Sequence, residues 1–316
     1  MNAGARLAIY GLGLVVAFGG AFGVAAAVVP GSVVDEWEKG SDMKGHQEHG
    51  SASAETTPDA GASLKGLTLG SGGYVLSAVE APSTVGEAGA LSFQIQTADG
   101  KPVVEYTTEH DKDLHLIVTR SDGSQFRHVH PELDHSSGTW SLPWQWAEPG
   151  SYRVFADFTT ADAEPAALTL TRTVEVSGDY LAVSAQPSRV DQVAGYTVSL
   201  DGEMVAGSPS ELTITLDRDG EPVTTLEPYL GAFGHLVALR QGDLAFLHVH
   251  ADGDAPQAGQ TAGPAIVFFA EAPTAGRYLL YLDFQVNGEV HTAEFVLDAA
   301  HSGTAQGEDA PHPDGH

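Results

Sequence analysis

The chain has 316 residues, enough for two domains with length left over for tails, and a hydrophobic content of 42% that supplies real cores. It has no cysteine, which excludes disulfides, thiolate nucleophiles, iron–sulfur clusters and cysteine-ligated zinc or blue-copper sites. Its 42 acids against 14 Lys and Arg give a net charge of −28, which repels phosphate backbones and anionic lipid headgroups, concentrates cations and leaves the 14 histidines as the usable nitrogen donors.

Residues 7–29, "LAIYGLGLVVAFGGAFGVAAAVV", are uncharged and apolar, with Arg6 before them and Asp35, Glu36 and Glu38 after. At 1.5 Å per residue this run spans a hydrocarbon core of roughly 30 Å. The basic start places the N-terminus inside and the remainder outside. Residues 1–30 are therefore expected to be a retained signal anchor in the cell membrane. Cleavage near Ala27 gives a secreted chain instead. Residues 31–65 are polar and small, without apolar period, and read as a disordered stalk carrying Met43, His46 and His49. Residues 299–316 read as a similar tail with His301, His312 and His316. Such tails are weak metal buffers or simple solvated filler.

Between the tails the pattern is β throughout. "LSFQIQTADGKPVVEY" and "ELTITLDRDGEPVTTL" alternate apolar and polar residues around Asp-Gly turns. An internal repeat is visible: Asp99–Val103 matches Asp219–Val223, and Pro149–Phe158 matches Ala275–Phe284. This predicts homologous domains at 66–178 and 181–298. The Gly-x-Tyr steps at Tyr152 and Tyr278 suggest tyrosine corners. Val154, Ala156 and Phe158, with Leu280, Leu282 and Phe284, are expected to point inward. Trp140, Trp144 and Trp146 read as packing residues. The expected fold is all-β: two tandem Ig-like or cupredoxin-like β-sandwich domains after a single N-terminal transmembrane helix.

Each copy carries His-x12-His-x-His: His115, His128 and His130, then His235, His248 and His250. With a turn at Asp122-Gly123, a hairpin sets His115 opposite His130 and Ile117 opposite His128. Residues two apart share a face, so the three rings project together. The second turn, near Gly242-Asp243, sets His235 opposite His250 and Val237 opposite His248. Clustered imidazoles repel when protonated and leave ring nitrogens unsatisfied, and a cation removes both problems. All-nitrogen ligation suits Cu(II) or Zn(II). For a further ligand the candidates are His110 in the first copy and His291 in the second, with Asp134 and His135 weaker. Asp157 and Asp283 occupy matched places and leave the core face by alternation, which reads equally as solvated strand positions.

The segments "HDKDLHLIVTRSDGSQFRHVHPELD", "GTWSLPWQWAEPGSYRVFADF" and "YLGAFGHLVALRQGDLAFLHVHA", with the anchor, resemble the actinobacterial membrane-anchored or secreted proteins described as heavy-metal-binding-domain or YtkA-like proteins. The resemblance implies an exported β-sandwich protein that handles copper or another metal. By motif it implies His110, His115, His128 and His130, then His235, His248 and His250, as the metal positions; Leu230 replaces the counterpart of His110.

The expected function is thus extracytoplasmic scavenging, buffering or delivery of Cu(II) or Zn(II), without turnover and without catalytic residues. The expected partners are the metal ion, a membrane metal transporter or a cell-surface protein, and the membrane through the first helix, but no nucleic acid. The alternatives are a metal-free Ig-like interaction module and a metalloenzyme with an open three-His site.

Overall fold

The computed structural model describes residues 64–302 apart from 248, 254 and 258, with the side chain of His250 also left out. The expected anchor, nearly all of the expected stalk and most of the expected tail lie outside the described residues. Among the described residues no helix is long and apolar enough to cross a membrane.

The described chain is all-β. The first domain holds β1 (Gly70–Ser71), β2 (Tyr74–Leu76), β3 (Gly89–Thr97), β4 (Tyr106–Thr107), β5 (His115–Arg120), β6 (Arg127–Val129), β7 (Glu132–Asp134), β8 (Thr139–Trp144), β9 (Gly150–Thr160) and β10 (Ala167–Val176). One sheet runs β1-β2-β3-β8-β7; the other runs β10-β9-β5-β6, with β4 also on β9. The second domain repeats the plan. It holds β11 (Val190–Val193), β12 (Tyr196–Asp201), β13 (Pro209–Arg218), β14 (Glu221–Pro222), β15 (His235–Arg240), β16 (Phe246–Leu247), β17 (Val249–Ala251), β18 (Ala265–Glu271), β19 (Gly276–Val286) and β20 (Glu289–Ala299). Its sheets run β11-β12-β13-β18-β17, with β14 on β13, and β16-β15-β19-β20.

Each domain is a sandwich around its own core. In the first, Leu91, Phe93 and Ile95 of β3 pack with Leu116, Val118, Val154, Ala156 and Phe158 of the facing sheet. In the second, Leu212, Ile214 and Leu216 pack with Leu236, Ala238, Leu280, Leu282 and Phe284. These are the inward positions that strand alternation predicts. Both expected corners form: Tyr152 donates its hydroxyl to the Glu148 carbonyl at 2.8 Å, and Tyr278 to the Thr274 carbonyl at 2.9 Å. Trp140, Trp144 and Trp146 are all buried in the first core.

Two expected boundaries shift. Lys65, assigned to the stalk, accepts the Phe246 N–H on its carbonyl at 2.9 Å. Ala299, assigned to the tail, ends β20, and the next residue donates to the Met204 carbonyl at 2.9 Å.

A third apolar cluster joins the domains. Ile117 and Phe155 of the first meet Val237, Leu239, Leu279 and Tyr281 of the second, with Phe126 and Phe246 beside them. The outer face of the β5 sheet therefore packs on the outer face of the β15 sheet. Phe126 stacks on Tyr281 with centroids 3.9 Å apart and planes 3° from parallel, and the Tyr281 hydroxyl donates to the Gly123 carbonyl. Gly123 has φ +87°, and a Cβ there would lie 2.2 Å from Leu279 Cδ1, so the hairpin tip requires glycine for both conformation and space. Each large side chain buried here contributes roughly 1.5–3 kcal/mol. The faces that carry the histidines are thus covered by the partner domain.

Candidate functional site

The site begins with the turn after β5. Asp122 accepts from Arg120 Nη2 at 3.0 Å and from the Ser124 N–H at 3.1 Å, and Gly123 N–H donates to the Arg120 carbonyl at 2.8 Å. The linker adds the Val183 N–H to Asp122 Oδ2 at 2.8 Å. This network fixes the hairpin register: Leu116 pairs with Val129 and Ile117 with His128, as the turn position predicts. Leu116 and Val118 then face the core, while His115, Ile117 and His128 face the second domain.

Three imidazole nitrogens converge at this point. His115 Nδ1 lies 3.0 Å from His128 Nε2 and 3.1 Å from His130 Nε2. One ligand atom from each of the three lies within 4.8 Å of the others. The other nitrogens of two rings are already committed. His115 donates Nε2–H to the Glu109 carbonyl at 3.1 Å, and His128 donates Nδ1–H to Asp283 Oδ2 at 2.8 Å. Carbonyl and carboxylate oxygens only accept, so in the neutral rings His115 Nδ1 and His128 Nε2 both carry lone pairs. Two lone pairs at 3.0 Å need a cation between them, either a proton or a metal. A tetrahedral metal with bonds of about 2.0–2.1 Å sets its ligands about 3.3 Å apart, so a slight outward turn of the rings admits one.

Burial reinforces the lone-pair character. His115 is 8% exposed. Burial, then the neighbouring His128, push it down to about 3. The same causes push His130 down to about 3. Both rings are therefore neutral donors at physiological pH.

The second domain completes the site. Asp283 lies on β19 directly across from His235 on β15, and its Oδ1 accepts from Thr292 Oγ1 at 2.6 Å. Held in this way, the carboxylate aligns His128 from the opposite domain, the arrangement that orients metal-bound imidazoles. His235 copies the posture of His115. It donates Nε2–H to the Tyr229 and Leu230 carbonyls at 2.9 and 3.0 Å, and burial pushes it down to about 4. Its ring centroid lies 6.3 Å from that of His128 and 6.5 Å from that of His115. A cavity of about 330 Å³ between the domains is walled by His110, His115, His128, Asp157 and His235 and by apolar residues including Phe246 and Phe268.

The other expected positions divide. His110 sits in the turn before β5 with φ +49°, its ring 6.1 Å from His115 and 5.1 Å from His235, near the triad but outside it. His248 and the side chain of His250 lie outside the described residues. The backbone of His250 pairs with Phe269 of β18, so it is not across from His235 as the simple hairpin predicts. The β15–β16 register itself is as expected, with Ala238 opposite Leu247, but the chain then crosses to the other sheet. His291, the candidate added to the second copy, faces away from His235, which pairs with Asp283 on the other face of the sheet. It pairs with Phe284 on the core face and packs on Tyr196 and Phe284 at 5.3 and 5.4 Å, opposite in facing to its neighbour Thr292. Asp134 caps its own turn through Ser136 and Ser137, and exposed His135 contacts the Val104 carbonyl at 3.2 Å. Asp283, 3% exposed, is the residue whose part was missed. Its signal was the matched Asp in "FADF" and "YLDF".

The family described as Domain of unknown function (DUF8832) matches residues 71–178 and again residues 191–301. No curated protein matches. Among solved structures, a Salmonella α2-macroglobulin is similar at 16% identity and TM-score 0.25 over 75% of this chain, which spans 15% of that one. The Escherichia coli adhesin FdeC is similar at 17% identity and TM-score 0.22, covering 74% of this chain and 66% of its own. The Yersinia pseudotuberculosis adhesin InvE is similar at 12% identity and TM-score 0.20, covering 71% of this chain and 58% of its own.

Proposed function

The chain belongs to the DUF8832 family and carries that domain twice; from that duplication we propose that it is a metal-binding protein whose centre is built between the two copies. His115, His128 and His130 hold one Cu(II) or Zn(II) ion, and Asp283 orients His128. The observation that carries this reading is the approach of His115 Nδ1 and His128 Nε2 to 3.0 Å, with His130 Nε2 beside them and the other nitrogens of the first two rings set against oxygen acceptors. Three nitrogen donors and no sulfur favour these two ions. The role is binding and delivery rather than turnover, in an extracytoplasmic setting reached through the apolar run 7–29. The tyrosine corners support an Ig-like assignment for each sandwich.

The experiment is equilibrium dialysis of the full-length chain in detergent against Cu(II) and Zn(II). Saturable uptake that survives a weak chelator is expected, with its loss in His128→Ala. Uptake unchanged in that variant would contradict the reading. A metal-free interaction module is the second reading, favoured by the linker, where Leu181 is 89% and Val183 57% exposed. It predicts that metal alters neither stability nor partner binding.

A further inference from the structure

The two halves of the interface carry matched parts, and no described residue takes up one of the two sets. His115 and His235 each open a strand, β5 and β15. Each donates Nε2–H to a loop carbonyl, Glu109 or Tyr229, six residues earlier. Each faces an aspartate across the sheet, Asp157 or Asp283. Each aspartate has one oxygen held at 2.6 Å by a threonine of the next strand, Thr169 or Thr292. In the triad these devices are used: His115 presents Nδ1, and the second oxygen of Asp283 takes His128. In the other half no described residue uses them. The lone pair of His235 Nδ1 and the second oxygen of Asp157 have no hydrogen-bond donor among the described residues, and both residues line the interdomain cavity. A cavity wall that presents acceptors and lone pairs calls for a cation.

His110 supplies the third donor. Its ring is 5.1 Å from His235, within the 4.9–5.3 Å that separates the rings of the triad. It stands in an exposed turn before β5.

We infer that His110, His235 and Asp157 hold a second Cu(II) or Zn(II) ion beside the triad, making the centre dinuclear, with ligands from both domains on the second ion and Asp283 of the second domain orienting a ligand of the first. This rests on the triad reading. With His110 6.1 Å from His115 and His235 6.3 Å from His128, two Cu(II) ions would lie close enough to couple magnetically.

The test is a Cu(II) titration of the full-length chain in detergent, in a background with His46, His49, His301, His312 and His316 changed to Ala, followed by electron paramagnetic resonance and metal analysis. Two ions per chain are expected, with the isolated-Cu(II) signal of the first equivalent lost or broadened at the second and a half-field transition appearing. Both His235→Ala and His110→Ala should bind one ion and keep an isolated signal at saturation. His110 is exposed, so its variant folds whatever His235→Ala does. One ion in the parent chain, lost in His128→Ala but indifferent to His110→Ala and His235→Ala, would overturn the second site and leave the triad standing. Uptake indifferent to His128→Ala would overturn the triad itself.

Discussion

Asp283 of the second domain accepts the Nδ1–H of His128 of the first at 2.8 Å, with both side chains 4% exposed. A residue of one copy thus sets the tautomer and aim of an imidazole in the other. The alignment of His128 depends on domain docking: separating the sheets would turn His128 loose and expose a carboxylate that the fold has buried.

Asp283→Ala should weaken metal binding by about 10- to 100-fold, the usual cost of removing an orienting partner, although it removes no ligand. Competition with a chromogenic chelator measures this. Equal affinity in the variant and the parent would mean that His128 needs no alignment.

Docking should be testable without touching either residue. At Gly123 a Cβ would meet Leu279 Cδ1 at 2.2 Å, and the φ of +87° strains any side chain. Gly123→Val should destabilise the chain by roughly 1–3 kcal/mol through overpacking and lower metal affinity with it. Urea unfolding and the same chelator competition report the two effects. Loss of stability with affinity intact would uncouple the interface from the centre.

Acid should destabilise the metal-free protein. His115 and His130 are held down to about 3 and His235 to about 4, whereas an imidazole in the unfolded chain ionises near about 6.5. Between these values the unfolded state binds more protons, so stability falls as pH falls. The contribution is whole above about pH 6.5 and is lost progressively towards about pH 3. The urea midpoint should therefore drop between pH 7 and pH 5, a window above most carboxylate titration. The drop should shrink in His115→Gln/His130→Gln. A midpoint unaffected by pH would mean that these rings are solvated.

Ligand linkage predicts the opposite sign for metal. At a free Zn(II) concentration of about 100 times Kd the folded state gains about 2.7 kcal/mol. The melting temperature should rise with Zn(II) concentration in the parent chain and stay flat in His128→Ala. A rise of equal size in both would assign the effect to sites elsewhere.

Local chemistry was readable and long-range docking was not. The pairing of Ile117 with His128 follows from one turn, because Asp122 and Gly123 pin the register before anything distant matters. The corners at Tyr152 and Tyr278 are equally local. Asp157 and Asp283 leave their own cores as alternation requires, yet no pattern within a strand says that another sheet covers that outer face. His291 was misplaced because its facing depends on its pairing with Phe284. His250 was misplaced because the chain leaves β15 after Leu247 and joins β18, whereas in the first copy pairing with β5 continues through Val129. These outcomes are decided by which sheet a segment joins, a choice made by distant partners.

X-ray absorption on the chain loaded with one equivalent of Zn(II), with and without His128→Ala, tests the central claim most directly. The account predicts imidazole nitrogens at about 2.0–2.1 Å in the parent chain and a shell poorer in imidazole, with lower occupancy, in the variant. An all-oxygen shell, or one identical in both, would contradict it.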